Sequence, residues 1–130
     1  MDAYDADILI YAARNDDLGT AALNELRRGV QRMGSVILLP EVLSRPLRNK
    51  DEAEHEFLVR WLSQIDLKPV DEEIAEAATT LGAKYRLKVA NAIHLATAVV
   101  WGAERFHTNN RRDFDGQITE VEVVYLAQVS

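Results

Sequence analysis

The chain has 130 residues, 48% hydrophobic and 28% charged, which is enough apolar matter to bury a core and excludes a disordered polypeptide. A net charge of −6, from 15 Lys and Arg against 21 Asp and Glu, argues against a protein that coats nucleic acid through bulk charge but leaves room for a local basic patch. The lack of cysteine excludes disulfide scaffolds, thiolate zinc sites and cysteine nucleophiles.

The opening stretch from Met1 to Asp5 has no positively charged n-region. Its longest apolar runs, near Val36 to Pro40 and Ala96 to Ala103, fall far short of the ~20 residues of a membrane span. One domain over residues 1–130, soluble, cytoplasmic and without a membrane partner, is therefore expected. Ala3-Tyr4-Asp5 reads as the tail of a short strand running into a helix over Ile8 to Ala13. Leu23, Leu26 and Val30 recur at helical spacing. Val36 to Leu39, between Gly34-Ser35 and Pro40, forms the continuous apolar run of a strand buried on both faces. Phe57, Leu58, Trp61 and Leu62 make one stripe of a helix starting near Asp51, and Ile65, Leu67 and Val70 mark a second short strand. Asp71 is the expected N-cap of a helix that carries Glu72 and Glu73 in its first turn and turns Ile74, Ala78 and Leu81 inward. From about Ala90 to Trp101 the pattern is apolar nearly all round, which predicts a central helix. Arg105 to Thr108 and the β-branched stretch Val121 to Val129 close the series as strands. Strands alternating with helices predict an α/β domain with a mainly parallel sheet, whose ligand site lies beyond the carboxyl ends of the strands.

Acidic and amide side chains fall at those ends: Asp5 with Asp7, Glu41, Asn91, and the run Asn109-Asn110-Arg111-Arg112-Asp113. Each has a plain structural reading as a helix cap, first-turn acid or turn residue. Carboxylates that converge on one crevice repel each other, however, and a hard divalent cation between them relieves that repulsion; oxygen donors of this kind suit Mg²⁺ or Mn²⁺. Such ions activate water and stabilise charge on a phosphate under attack.

Three segments carry a family resemblance. Asp5-Ala6-Asp7-Ile8-Leu9-Ile10-Tyr11-Ala12 resembles the opening motif of PIN-domain proteins. Asn91-Ala92-Ile93-His94-Leu95-Ala96-Thr97-Ala98 resembles the family's Asp-Ala-Ile-His-Leu-Ala-Thr-Ala helix, and Phe106 to Phe114 its Thr-Asn-Asp loop; Glu41 falls where the family's second acid sits. The resemblance implies a three-layer α/β/α sandwich and a Mg²⁺- or Mn²⁺-dependent endoribonuclease, most often the VapC-like toxin of a bacterial toxin–antitoxin pair. It implies an RNA substrate, a cognate antitoxin and a homodimer formed through the early helices. By the same resemblance Asp5 and Glu41 bind metal, positions 91 and 110 complete the acidic set, and Thr108 hydrogen-bonds the Asp5 carboxylate.

Two of the four acidic positions depart from the family, because 91 and 110 are asparagine. Each exchange removes one negative charge, so metal affinity should fall. Asp113, one turn on, can stand in for Asn110, whereas no acid lies near Asn91 in sequence. Three accounts stay open: a weakened nuclease, an inactive copy kept for RNA or protein binding, or an introduced substitution at 91. Arg111 and Arg112 are candidate RNA-phosphate contacts, with Arg45, Arg48 and Lys50 a second basic cluster. His94 reads chiefly as a histidine packed beside the site, and neither it nor His107 has the paired spacing of a zinc motif.

Overall fold

Alternating side chains of a single short strand set the layers. The computed structural model describes residues 1–126, and in it β1 (Asp2–Tyr4) is buried throughout and occupies the middle of a five-stranded sheet. Ala3 points to one face and Tyr4 to the other, as the period-2 geometry of a strand requires. On the Tyr4 side lie α1 (Ala6–Ala12), α2 (Asp17–Arg28), α3 (Leu38–Arg48) and α4 (Glu52–Leu62), which bury Ile8, Leu9, Leu26, Leu38 and Leu58. On the Ala3 side, α5 (Glu72–Tyr85) and α6 (Val89–Val100) bury Ile74, Leu81, Leu95 and Ala96 against Met33 and Phe106.

The sheet runs β3 (Asp66–Lys68), β2 (Arg32–Ser35), β1, β4 (Arg105–Thr108), β5 (Glu122–Tyr125), and all its pairings are parallel. The chain moves outward from β1 through β2 to β3, then returns to the other side of β1 with β4. The strand order thus reverses between β1 and β4, and in open parallel sheets the crevice at such a reversal is where ligands bind. No helix among the described residues is long and apolar enough to cross a membrane.

Most predicted elements are present, with two displaced. The strand expected at Val36 to Leu39 lies instead at Arg32–Ser35, and the apolar run passes through a turn into α3. A short apolar run does not distinguish a strand from the buried start of a helix, and Pro40 is tolerated in a first helical turn, where its missing N–H has no intrahelical acceptor. The helical spacing of Leu23, Leu26 and Val30 does not carry through to Val30, because α2 ends at Arg28 and Val30 is 94% exposed. The last strand covers Glu122–Tyr125; the remainder of the predicted stretch, from 127 onward, lies outside the described residues.

Asp71 caps its helix as predicted, accepting the Ile74 N–H at 2.9 Å, and Asp51, near which a helix start is expected, caps α4 by accepting the Glu54 N–H at 3.1 Å. Phe57 and Trp61 pack half-buried against the α1–α4 core. His107 lies deep beneath α2, with Nε2 3.0 Å from Asp2 Oδ2 and its ring stacked on Tyr4, so it ties the sheet together on the face away from α6. The turn between α1 and α2 depends on Gly19: a Cβ there would stand 2.1 Å from the carbonyl oxygen of Arg14. Gly19→Ala is expected to cost about 1–3 kcal/mol of stability, as overpacking against a fixed neighbour does; chemical denaturation reads this directly.

Candidate active site

Asp5 follows β1 at the sheet's reversal point and caps α1 through Oδ1, which accepts the Ala6 N–H at 2.8 Å. Its other oxygen, Oδ2, accepts from the hydroxyl of Thr108 at 2.9 Å. Parallel pairing of β1 with β4 aligns Tyr4 with His107, so the residues that follow, Asp5 and Thr108, come side by side. Thr108 Oγ1 also accepts the N–H of Asn110 at 3.0 Å, which links Asp5 to the loop beyond β4. Asp7 Oδ2 accepts the N–H of Asn109 at 2.9 Å, while its Oδ1 is buried without a partner.

Burial is the main force on these acids. It pushes the Asp5 carboxyl above the usual carboxylate range, with Glu41 adding to the rise and His94 and the Thr108 hydroxyl opposing it. Asp7 is pushed up to about 7, first by burial and then by the neighbouring Asp5 charge. The crevice therefore holds carboxyl groups whose charged forms its own donors do not fully stabilise.

The amides take up much of the rest. Asn91, in the first turn of α6, donates Nδ2–H to Asp113 Oδ2 at 3.0 Å, and Asn110 donates to the same oxygen at 2.9 Å. A carboxylate only accepts, so both side chains must present their NH₂ groups to it. Asn110 Oδ1 in turn accepts the N–H of Asp113 at 3.2 Å and closes the turn. Among the described residues no donor is hydrogen-bonded to Asn91 Oδ1.

Glu41 comes from the first turn of α3, on the exposed side of that helix, and its carboxylate engages His94 Nε2. His94 is 2% exposed and lies one turn beyond Asn91 on α6. Sequence reasoning gave it a packing role. It has one, and it also reaches a predicted site residue; helical spacing to Asn91 was the available signal. Arg111 is tied by Nη2 to the Leu126 carbonyl at 3.0 Å and lies over the Tyr125 ring, while Arg112 is exposed. Arg45, Arg48 and Lys50 are exposed along and just past α3.

The site therefore brings Asp5 and Thr108 together directly, and separately Asn91, Asn110 and Asp113. A family model described as "PIN domain" matches residues 4–116. The chain belongs to the PIN domain family. No curated protein matches it in sequence. Among solved structures, a chain of a toxin–antitoxin complex from Klebsiella pneumoniae is 27% identical with a TM-score of 0.76, covering 94% of this chain and 99% of that one. VapBC2 from Rickettsia felis, bound to a DNA fragment from its promoter, is 16% identical with a TM-score of 0.78, covering 97% and 98%. VapC20 of Mycobacterium tuberculosis, a Sarcin-Ricin loop cleaving toxin, is 13% identical with a TM-score of 0.70, covering 93% and 98%. The latter two are likenesses of fold.

PIN nucleases generally use divalent metals, and the donors in this crevice fit such an ion in kind. They are hard oxygens, they include the orphaned Asp7 Oδ1 among too few protein donors, and burial has raised Asp5. They fit less well in number. No three His, Asp or Glu side chains among the described residues stand together as a ready ligand set.

Proposed function

We propose that this PIN domain is a divalent-metal-dependent endoribonuclease of toxin type, cytoplasmic, with an attenuated centre. The observation that carries the reading is the Asp5–Thr108 pair at the sheet's reversal point, with Asn91 and Asp113 joined across the neighbouring loop. Asp5 and Glu41, with Asn91 Oδ1, hold Mg²⁺ or Mn²⁺; when bound, such an ion supplies positive charge for a phosphate under attack and acidity for water. Thr108 fixes the rotamer of Asp5, so its carboxylate needs no reorganisation on binding. Asn110 and Asp113 hold the loop after β4 in shape, and Arg111, anchored on Tyr125, supports the exposed Arg112 that meets the RNA backbone. The likeness to a chain of a toxin–antitoxin complex supports a cognate antitoxin as partner; a homodimer as the working form belongs to the same proposal.

A second reading, an inactive module that binds RNA or protein, is favoured by the engagement of one Asp113 oxygen by two amides and of one Glu41 oxygen by His94. Cleavage of a labelled structured RNA with and without millimolar Mg²⁺ or Mn²⁺ separates the two. Slow, metal-dependent cutting that Asp5→Ala abolishes supports the nuclease. RNA binding without cleavage at any metal concentration supports the binding module.

A further inference from the structure

The α6 helix holds a residue that neither the family reading nor the metal set uses. His94 is almost wholly buried, and its Nδ1 has no partner among the described residues. A leucine would fill such a place without the cost of desolvating an imidazole. Apart from general packing, the ring makes one polar contact, Nε2 to the Glu41 carboxylate, across 53 residues of sequence.

Glu41 needs that contact. The core-facing positions of α3 are Leu38, Val42 and Pro46, which turns Glu41 to the exposed side of its helix. Among the described residues no other donor reaches its carboxylate. A free glutamate on an exposed helix face samples several rotamers in water. Nε2 must be the donor, since the carboxylate only accepts. One Glu41 oxygen is thereby pinned and the other is left for a ligand. Asn91 and His94, one turn apart, let α6 reach both walls of the crevice: Asn91 takes the loop after β4, and His94 takes α3.

We infer that His94 is the positioning residue that aims Glu41 into the crevice, a role that rests on the metal-dependent reading of the site. Groups that orient a metal ligand typically contribute ~10–100-fold to metal affinity. His94→Leu keeps the packing and removes the donor; His94→Gln keeps an N–H near the position of Nε2. The measurements are Mn²⁺ affinity by electron paramagnetic resonance and, without metal, a double-mutant cycle in urea of His94→Leu with Glu41→Gln. His94→Leu is expected to weaken Mn²⁺ binding ~10-fold or more, His94→Gln to stay within ~3-fold of the parent, and the metal-free cycle to show coupling.

Absence of coupling overturns the inference whatever the metal does, because the contact is then not made. Coupling with unchanged Mn²⁺ affinity in His94→Leu also overturns it, leaving His94 a structural tie. A parent chain that binds no Mn²⁺ overturns the metal reading first and the positioning role with it. Failure of His94→Leu to fold leaves His94→Gln to decide: full Mn²⁺ affinity and coupling to Glu41→Gln support the role, and loss of either overturns it.

Discussion

Asn91→Asp should raise RNA cleavage while making the metal-free protein less stable. The two effects have one cause. Asn91 Nδ2 sits 3.0 Å from Asp113 Oδ2 and joins α6 to the loop after β4 by a hydrogen bond. An aspartate at 91 turns that bond into a contact between carboxylates. The loss of a charged hydrogen bond plus like-charge repulsion should cost about 1–3 kcal/mol in the absence of a cation. Added Mn²⁺ should recover most of this, because a divalent ion binds the folded crevice and not the unfolded chain. The restored carboxylate also strengthens charge stabilisation of the attacked phosphate, and a gain on the order of 10²-fold in kcat/KM corresponds to about 3 kcal/mol. Thermal melts with and without Mn²⁺, run beside the cleavage assay, read both effects. A variant that melts like the parent in both buffers and cuts no faster removes position 91 from the metal set.

Much of the scaffold was legible because its signals are local. The helix start near Asp51, the cap at Asp71, the strand Arg105–Thr108 and the buried α6 all follow from patterns within one or two turns of chain. The errors came where one pattern serves two structures. Val36 to Leu39 is as apolar as a central strand, yet it leads into a helix that accepts Pro40 in its first turn and carries Glu41 to the crevice. Val30 matched a helical stripe because spacing does not register that α2 stops at Gly29. In the site, the Asp5–Thr108 pair followed from motif resemblance. The His94–Glu41 contact did not, because it depends on how α3 packs relative to α6, and no spacing rule reports a contact across 53 residues. The sharing of one Asp113 oxygen by Asn91 and Asn110 is of the same kind.

Asp5→Asn should separate stability from function in the direction opposite to Asn91→Asp. Asparagine is as good an N-cap as aspartate, so its carbonyl oxygen can keep the Ala6 N–H bond. What disappears is a buried charge that repels Asp7 and is itself disfavoured by burial. A carboxyl whose folded pKa lies above its unfolded value gives stability that is complete below the unfolded pKa and is lost as pH rises through the folded one. For Asp7 that window runs from the ordinary 3.8 up to about 7, and Asp5 shifts in the same direction. The parent should therefore lose stability between those values, and Asp5→Asn should lose less, because it carries one buried carboxyl fewer and relieves the other. The expected gain is on the order of 1–2 kcal/mol above pH 7, a rise of several degrees in Tm, shrinking towards pH 4. Mn²⁺ should raise the Tm of the parent and leave that of the variant unchanged, and RNA cleavage should be lost. A variant that melts below the parent across the whole pH range would mean that the carboxylate's bonds to Thr108 and Ala6 outweigh its burial. Asp5 would then be a structural cap, and the charge imbalance that calls for a cation would have to lie with Asp7 and Glu41.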